Sequence, residues 1–285
     1  MPTPQDRFSD RVSSIIQSAI EKFASGFEGD ILAIEREIEI LLKGIDIREG
    51  SIVPSVSNLR IINQVDDKIR MALSKSGYEN RIRQFEKNYQ SLWNTNNKYF
   101  KGLAEAFIPN ESMFKAIRER AVQSLNESLA GAGLQTTLIE PIKNILDANI
   151  TSGGDFFDMK KQVSQLVNGG KLESYSGQIT RDGINQFNAN YHEQVSSELG
   201  LDWFLYRGGT VKDTRPFCAE RKGKYYHRSE VESWAKLSWA GKIPGTTKST
   251  IYTYRGGFNC MHQIVAVDAS VVPKADLQRI ANKAA

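Results

Sequence analysis

The residues of this chain best suited by type to chemistry are both of its cysteines and two of its three histidines: Cys218, His227, Cys260 and His262. Two thiolates and two imidazoles form a donor set that fits tetrahedral zinc. Cys260 and His262 stand at i and i+2, so on a strand both side chains leave the same face, as a pair of metal ligands must. Cys218 and His227 flank Gly223, which permits a reversal that would bring them together. The spacing, C-x8-H followed by C-x-H, departs from zinc knuckles, whose paired ligands are usually about two to four residues apart. Two alternatives stay open at this level. The cysteines can serve as small buried hydrophobes beside hydrogen-bonded histidines, or they can form a disulfide, which a reducing compartment disfavours.

Other chemical signatures fail on inspection. Gly245-Thr-Thr-Lys248-Ser249 lacks the glycine that a phosphate loop places before its lysine. Arg207-Gly208-Gly209 and Arg255-Gly256-Gly257 are isolated tripeptides that read as turns closing strands, not as RNA-binding repeats. No G-x-S-x-G elbow exists, and His192-Glu193 has no second histidine four residues on. A Cys–His dyad drawn from neighbours that point in parallel is poorly placed for proton transfer. The expectation is a protein that is not an enzyme.

The elements that must position these residues fall into two textures. Up to about Leu199 the apolar residues recur at steps of three or four, as in Val12, Ile16, Ile20, Phe23 and again in Ile31, Ile34, Ile38, Leu41. Further stripes run from Leu59 to Leu73, Ile82 to Leu103, Phe114 to Leu125 and Leu138 to Ile150, with punctuation at Asn94–Asn97, Pro109-Asn110, Gly131–Gly133 and Thr151–Gly154. A last helix is expected from about Tyr175 to Leu199. Beyond it, Trp203–Tyr206 and Ile251–Tyr254 read as aromatic strands, and Cys260–Val267 as the final strand. Ser229-Glu-Val-Glu232 fits a capping box that opens a short helix carrying Trp234. A closing helix is expected from Lys274 to Lys283. The fold class is therefore α+β: an elongated helical region over 1–200, a small α+β module over 201–270, and a terminal helix or tail over 271–285.

Composition narrows the functional classes. A chain of 285 residues with 25% charged and 9% aromatic residues is a folded globular protein of one large or two modest domains, and two cysteines cannot form a disulfide scaffold. Neither a secretory leader nor an apolar stretch long enough to span a membrane is visible, which points to the reducing cytoplasm. The 11 basic and 6 acidic residues between Leu201 and Ser270 give that segment a charge of +5, leaving −1 elsewhere. Arg221, Lys222 and Lys224, clustered around Gly223, are the residues expected to meet phosphates if the module touches nucleic acid.

Taken in order, residues 178–268 resemble the phage minor head proteins, also called phage Mu protein F-like or head morphogenesis proteins. The resemblance is carried by Ile179-Thr-Arg-Asp182, Gly200–Tyr206, Lys212-Asp-Thr-Arg-Pro-Phe-Cys218, Glu220–Lys224, Ser229–Trp234, Pro244-Gly-Thr-Thr and Gly256-Gly-Phe-Asn-Cys-Met-His262. Many members of that family have Cys-x-x-Cys where this chain has Arg215-Pro-Phe-Cys218, and Arg where it has Met261; the acidic residue of the leading helix, often Glu, is here Asp182. The resemblance implies a structural virion protein of a tailed double-stranded DNA phage or prophage. Such a protein acts in head assembly in the host cytoplasm, with portal, capsid or scaffolding proteins as partners and packaged DNA met through its phosphates. It further implies that Asp213 and Arg215 hold the loop between strands, that Gly256 and Gly257 permit a tight turn, and that Trp203 and Trp234 fill the small core. A nucleic-acid-binding protein without sequence preference, built around a zinc-stabilised module, and a toxin-related enzyme are the alternatives.

Overall fold

The computed structural model describes residues 2–284 and is mostly helical, with two small antiparallel sheets, as the α+β expectation requires. The chain forms two compact units: Met1–Ser18, Lys87–Val122 and Arg181–Ala285 in the first, Ala19–Glu86 and Gln123–Thr180 in the second. These units are assembled from separated segments, whereas the sequence expectation divided the chain in order at residues 200 and 270. Helices α1 (Pro4–Ala24), α7 (Glu111–Leu129) and α11 (Lys171–Glu198) each contribute to both units. The shared helices run through the unit boundaries without a break, so no change of composition marks those boundaries in the sequence.

The second unit contains α2 (Phe27–Leu42), the hairpin β1 (Ile47–Arg48) and β2 (Ser51–Ile52), and α3 (Val56–Ile62), α4 (Val65–Ser76) and α5 (Tyr78–Glu86). After the end of α7 it adds the short α8 (Ala132–Leu134), a π-helical turn, α9 (Glu140–Ser152) and α10 (Phe156–Asn168). The periodic residues Ile34, Ile38 and Leu41 of α2 are buried with Val65, Ile69 and Leu73 of α4, as period-3.6 stripes require. One charged pair is sealed within this packing. Asp30 is fully buried and accepts hydrogen bonds from Arg81 and Ser76, and burial raises its pKa despite the guanidinium beside it.

In the first unit, α6 (Asn88–Leu103) and the C-terminal part of α11 pack with a three-stranded sheet. Its strands are β3 (Trp203–Arg207), β4 (Tyr225–His227) and β5 (Gln263–Val267), in the order β4-β3-β5, all antiparallel. Trp203 faces Val267 on one side and His227 on the other in the register of the sheet. One face buries Trp203, Leu205 and Val267 with Val272, covered by Leu277 and Ile280 of the terminal helix α15 (Lys274–Ala284). The remaining elements are α12 (Pro216–Arg221), α13 (Arg228–Ser233), a 3₁₀ turn at Trp234–Lys236, α14 (Ile251–Tyr254) and a second 3₁₀ turn at Ala269–Val271.

β5 lies at the edge of the sheet, so the outward N–H and C=O of Ala266 need partners from elsewhere. Both find them: the N–H donates to His192 Nε2 of α11 at 2.9 Å, and the carbonyl accepts from the Tyr99 hydroxyl of α6 at 2.6 Å. His192 Nδ1 lies 2.8 Å from Asn96 Oδ1, and the Asn96 amide donates to Leu92 O and to Asn188 Oδ1. The Asn94–Asn97 run, expected to interrupt the helices, thus sits inside α6, because Asn96 spends its polar atoms on this buried network.

Three local expectations are corrected. Ile251–Tyr254 forms a helical turn and no strand; Ile251 and Tyr252 bury their side chains, and Arg255 follows with φ +43°. The final strand begins at Gln263, so Cys260 and His262 lie in the connection before it. Helix α13 is capped two residues earlier than expected: His227 is the N-cap, its Nδ1 accepting from the Ser229 N–H, while Glu230 accepts from the His227 N–H.

Candidate metal centre

The connection from Arg255 to His262 is held from three directions. Gly257 takes φ +96°, and a side chain there would collide with the carbonyl of Gly241, so the expected glycine turn is present. Arg215 donates to the Phe258 carbonyl at 2.7 Å, fixing the loop as the resemblance implies, whereas Asp213 points to solvent in the preceding turn. From α11, Asp182 accepts the Asn259 N–H at 2.7 Å and Arg181 donates to the Asn259 side chain at 3.0 Å. Burial raises the Asp182 pKa, against the pull of the Asn259 hydrogen bond and of Arg255.

So held, the connection brings Cys260 and His262 against Cys218 of α12. The Cys218 and Cys260 sulfurs are 4.0 Å apart, His262 Nδ1 is 3.9 Å from Cys260 Sγ, and the three donor atoms lie within 4.8 Å of one another. All three residues are buried, and both cysteines are free thiols. The Tyr206 hydroxyl of β3 donates to Cys218 Sγ at 3.2 Å, and the Tyr206 ring stacks on His262. Gly256 carries no side chain for a reason visible in the packing: a Cβ would stand 2.3 Å from Cys218 Sγ and 2.8 Å from Cys260 Sγ.

The electrostatics divide the two sulfurs, favouring negative charge on Cys260 and disfavouring it on Cys218. The hydrogen bond from Cys218, with contributions from His262 and the buried Arg255, holds the Cys260 thiol well below its ordinary range, whereas the same bond and burial push the Cys218 thiol up. Burial likewise raises Tyr206, which keeps its hydroxyl a donor. Arg255 is 2% exposed and its Nε has no hydrogen-bond partner. His262 Nε2 is also buried without one.

The fourth expected ligand is elsewhere engaged. His227 closes the N-terminus of α13, with Nδ1 2.9 Å from the Ser229 hydroxyl and its ring edge-on to Trp203. It does not join the group formed by Cys218, Cys260 and His262. Trp203 and Trp234 are both buried as expected; Trp234 meets Tyr206, Phe217 and Tyr226 edge-on.

The expected phosphate-contacting triplet also divides. Arg221 folds inward, its guanidinium 3.9 Å from the centre of the Phe217 ring and bonded to the Phe217 carbonyl, while Lys222 and Lys224 are exposed. Other arginines of the segment are similarly committed. Arg207 pairs with Asp6 at 2.6 Å, and Arg228 pairs with Glu193 at 2.6 Å and with Asp202 at 2.8 Å. The exposed positive charge of residues 201–270 is therefore carried by lysines, with Lys212, Lys236 and Lys248 joining Lys222 and Lys224.

Sequence reasoning named Cys218, Cys260, His262 and Gly256 but passed over Tyr206 and Arg255 as members of the same cluster. Arg255 was legible only as part of a turn, because nothing in its neighbours signals that it is buried. No helix among the described residues is long and apolar enough to cross a membrane. No family model, no curated protein and no solved structure matches the chain.

Proposed function

We propose that this chain is a structural minor head protein of a tailed double-stranded DNA phage or prophage, associated with the portal or the capsid interior and acting in head morphogenesis. The observation that supports this reading is convergence. Residues carrying the family resemblance are scattered from Asp182 to His262, yet Asp182, Arg215, Cys218, Gly256, Gly257, Asn259, Cys260 and His262 meet around one connection. A motif whose separated parts interlock has the character of a folding module, which is what a structural protein needs. The reading includes no catalytic step. It places the protein in the host cytoplasm during assembly and in the virion afterwards, with portal, capsid or scaffolding proteins as partners.

Contact with packaged DNA in this reading runs through phosphates, from the exposed lysines, without base recognition. A role in packaging or ejection would follow from that contact. The test is a mass-spectrometric comparison of purified virions and empty procapsids from the host that produces them. Recovery of the chain from both is the expected result; absence from both overturns the assignment.

A further inference from the structure

We propose that Cys218, Cys260 and His262 bind one zinc-type divalent ion that fastens α12 to the connection leading into β5. The distances suit it. Zinc bonds of about 2.3 Å to sulfur and 2.0–2.1 Å to nitrogen, set at tetrahedral angles, separate two sulfurs by about 3.8 Å and a sulfur from a nitrogen by about 3.6 Å. The corresponding separations here are 4.0 Å between the sulfurs and 3.9 Å between Cys260 and His262, so those two pairs close with a few tenths of an ångström, while Cys218 and His262, inside 4.8 Å, close by at most about 1.2 Å. A disulfide instead needs the sulfurs at about 2.05 Å, a much larger movement.

The surroundings distinguish a ligand set from a packed apolar corner. Two neutral thiols acting as small hydrophobes need no polar company, yet the Tyr206 hydroxyl donates into Cys218 and a ring nitrogen of His262 lies beside Cys260. The two buried histidines of this unit also differ. His192 engages both ring nitrogens with Asn96 and Ala266, as a structural imidazole does. His262 has only the Cys260 sulfur at Nδ1 and no hydrogen-bond partner at Nε2. Sulfur and imidazole donors together select zinc over magnesium or calcium. Three protein ligands leave one tetrahedral corner for water.

Such an ion would join segments 42 residues apart in sequence, at a point where Gly256 already lets backbone and sulfur touch. The proposal stands apart from the head-protein reading: metal content and virion content are separate measurements, and either can fail alone.

The test uses the full chain purified under reducing conditions without chelator. Elemental analysis is expected to give about one zinc per chain, and less than about 0.2 would overturn the proposal. Metal-free protein titrated with cobalt(II) should develop a thiolate-to-cobalt charge-transfer band that saturates at about one equivalent and is bleached by zinc. Absence of that band overturns the site even if the variants below do not fold. Cys218→Ser and Cys260→Ser should abolish the band, whereas His227→Asn, which keeps a capping side chain, should retain it. Loss of the band in His227→Asn with the fold intact would refute the three-residue set, as would isolation of the reduced-cell protein with Cys218 and Cys260 already joined.

Discussion

Lowering the pH from 7 to 4 should strip the first unit of much of its stability through one side chain, His192. The protonation state of His192 follows from its partners. A backbone N–H can only donate, so the 2.9 Å bond from Ala266 requires a bare Nε2, and the ring proton must sit on Nδ1, facing Asn96 Oδ1 at 2.8 Å. Adding a second proton would set two N–H groups against each other at Ala266. Burial accordingly lowers the His192 pKa from 6.5 to about 3. The unfolded chain keeps the ordinary value, so below pH 6.5 the unfolded state takes up a proton that the folded state refuses. The stability is complete above about pH 6.5 and falls as the pH drops toward 3, at roughly 1.4 kcal/mol per unit, or about 3 kcal/mol by pH 4. That is a large part of the 5–15 kcal/mol typical of a domain. All four tryptophans, Trp93, Trp203, Trp234 and Trp239, lie in this unit, so their fluorescence follows its urea unfolding selectively. His192→Gln should lower stability at pH 7 and flatten the dependence between pH 6.5 and 4 by close to one proton. Equal slopes for the two proteins, or a His192 ring that titrates near pH 6 by NMR, would refute the reasoning.

Asp30→Ala should destabilise the second unit by about 3–5 kcal/mol in thermal or urea unfolding, because it leaves the Arg81 guanidinium without its buried partner. Since burial outweighs attraction at Asp30, the double change Asp30→Leu with Arg81→Met should cost less than Asp30→Ala alone; a larger cost would contradict that balance. Gly256→Ala should lower stability by about 1–3 kcal/mol and expose Cys218 and Cys260 to thiol reagents, as a Cβ drives the sulfurs apart. Replacing Lys222 and Lys224 by Ala should reduce the salt dependence of duplex DNA binding by a slope of about 1.8 without moving the melting temperature. Arg221→Ala should instead act through lost packing on Phe217 and Trp234. No retention of duplex at about 50 mM salt would end the DNA role.

Where one face of an element is apolar, the sequence was easily read. The stripe Val12, Ile16, Ile20 and Phe23 is buried along α1, the helix expected from Tyr175 to Leu199 is found at Lys171–Glu198, and Trp203–Tyr206 is a strand with one residue added. Reading failed where polar groups do the organising. Asn96, Asn188 and His192 fall within the apolar stripes of their helices, and that placement was an available sign of a buried network. Composition instead suggested a break at Asn94–Asn97. Ile251–Tyr254 has strand-forming side chains, yet four residues supply too little periodicity to resist the helical turn that buries Ile251 and Tyr252.

The candidate centre was found for a reason that the structure replaces. Same-face placement on a strand was the argument for pairing Cys260 with His262, but both precede β5. What pairs them is the irregular connection itself, bent at Gly257 and tied by Arg215 and Asp182. Such a connection must satisfy its backbone groups through side chains from distant elements, and that requirement fixes its conformation more tightly than its own residues would. Cys218, from α12, lies against this local pair, its sulfur 4.0 Å from that of Cys260. His227, nearer to Cys218 in sequence, is excluded because β4 delivers it to the start of α13, where its ring nitrogen serves the helix. Sequence proximity therefore selected the wrong fourth ligand. The tertiary ties of the 255–262 connection select the three that meet.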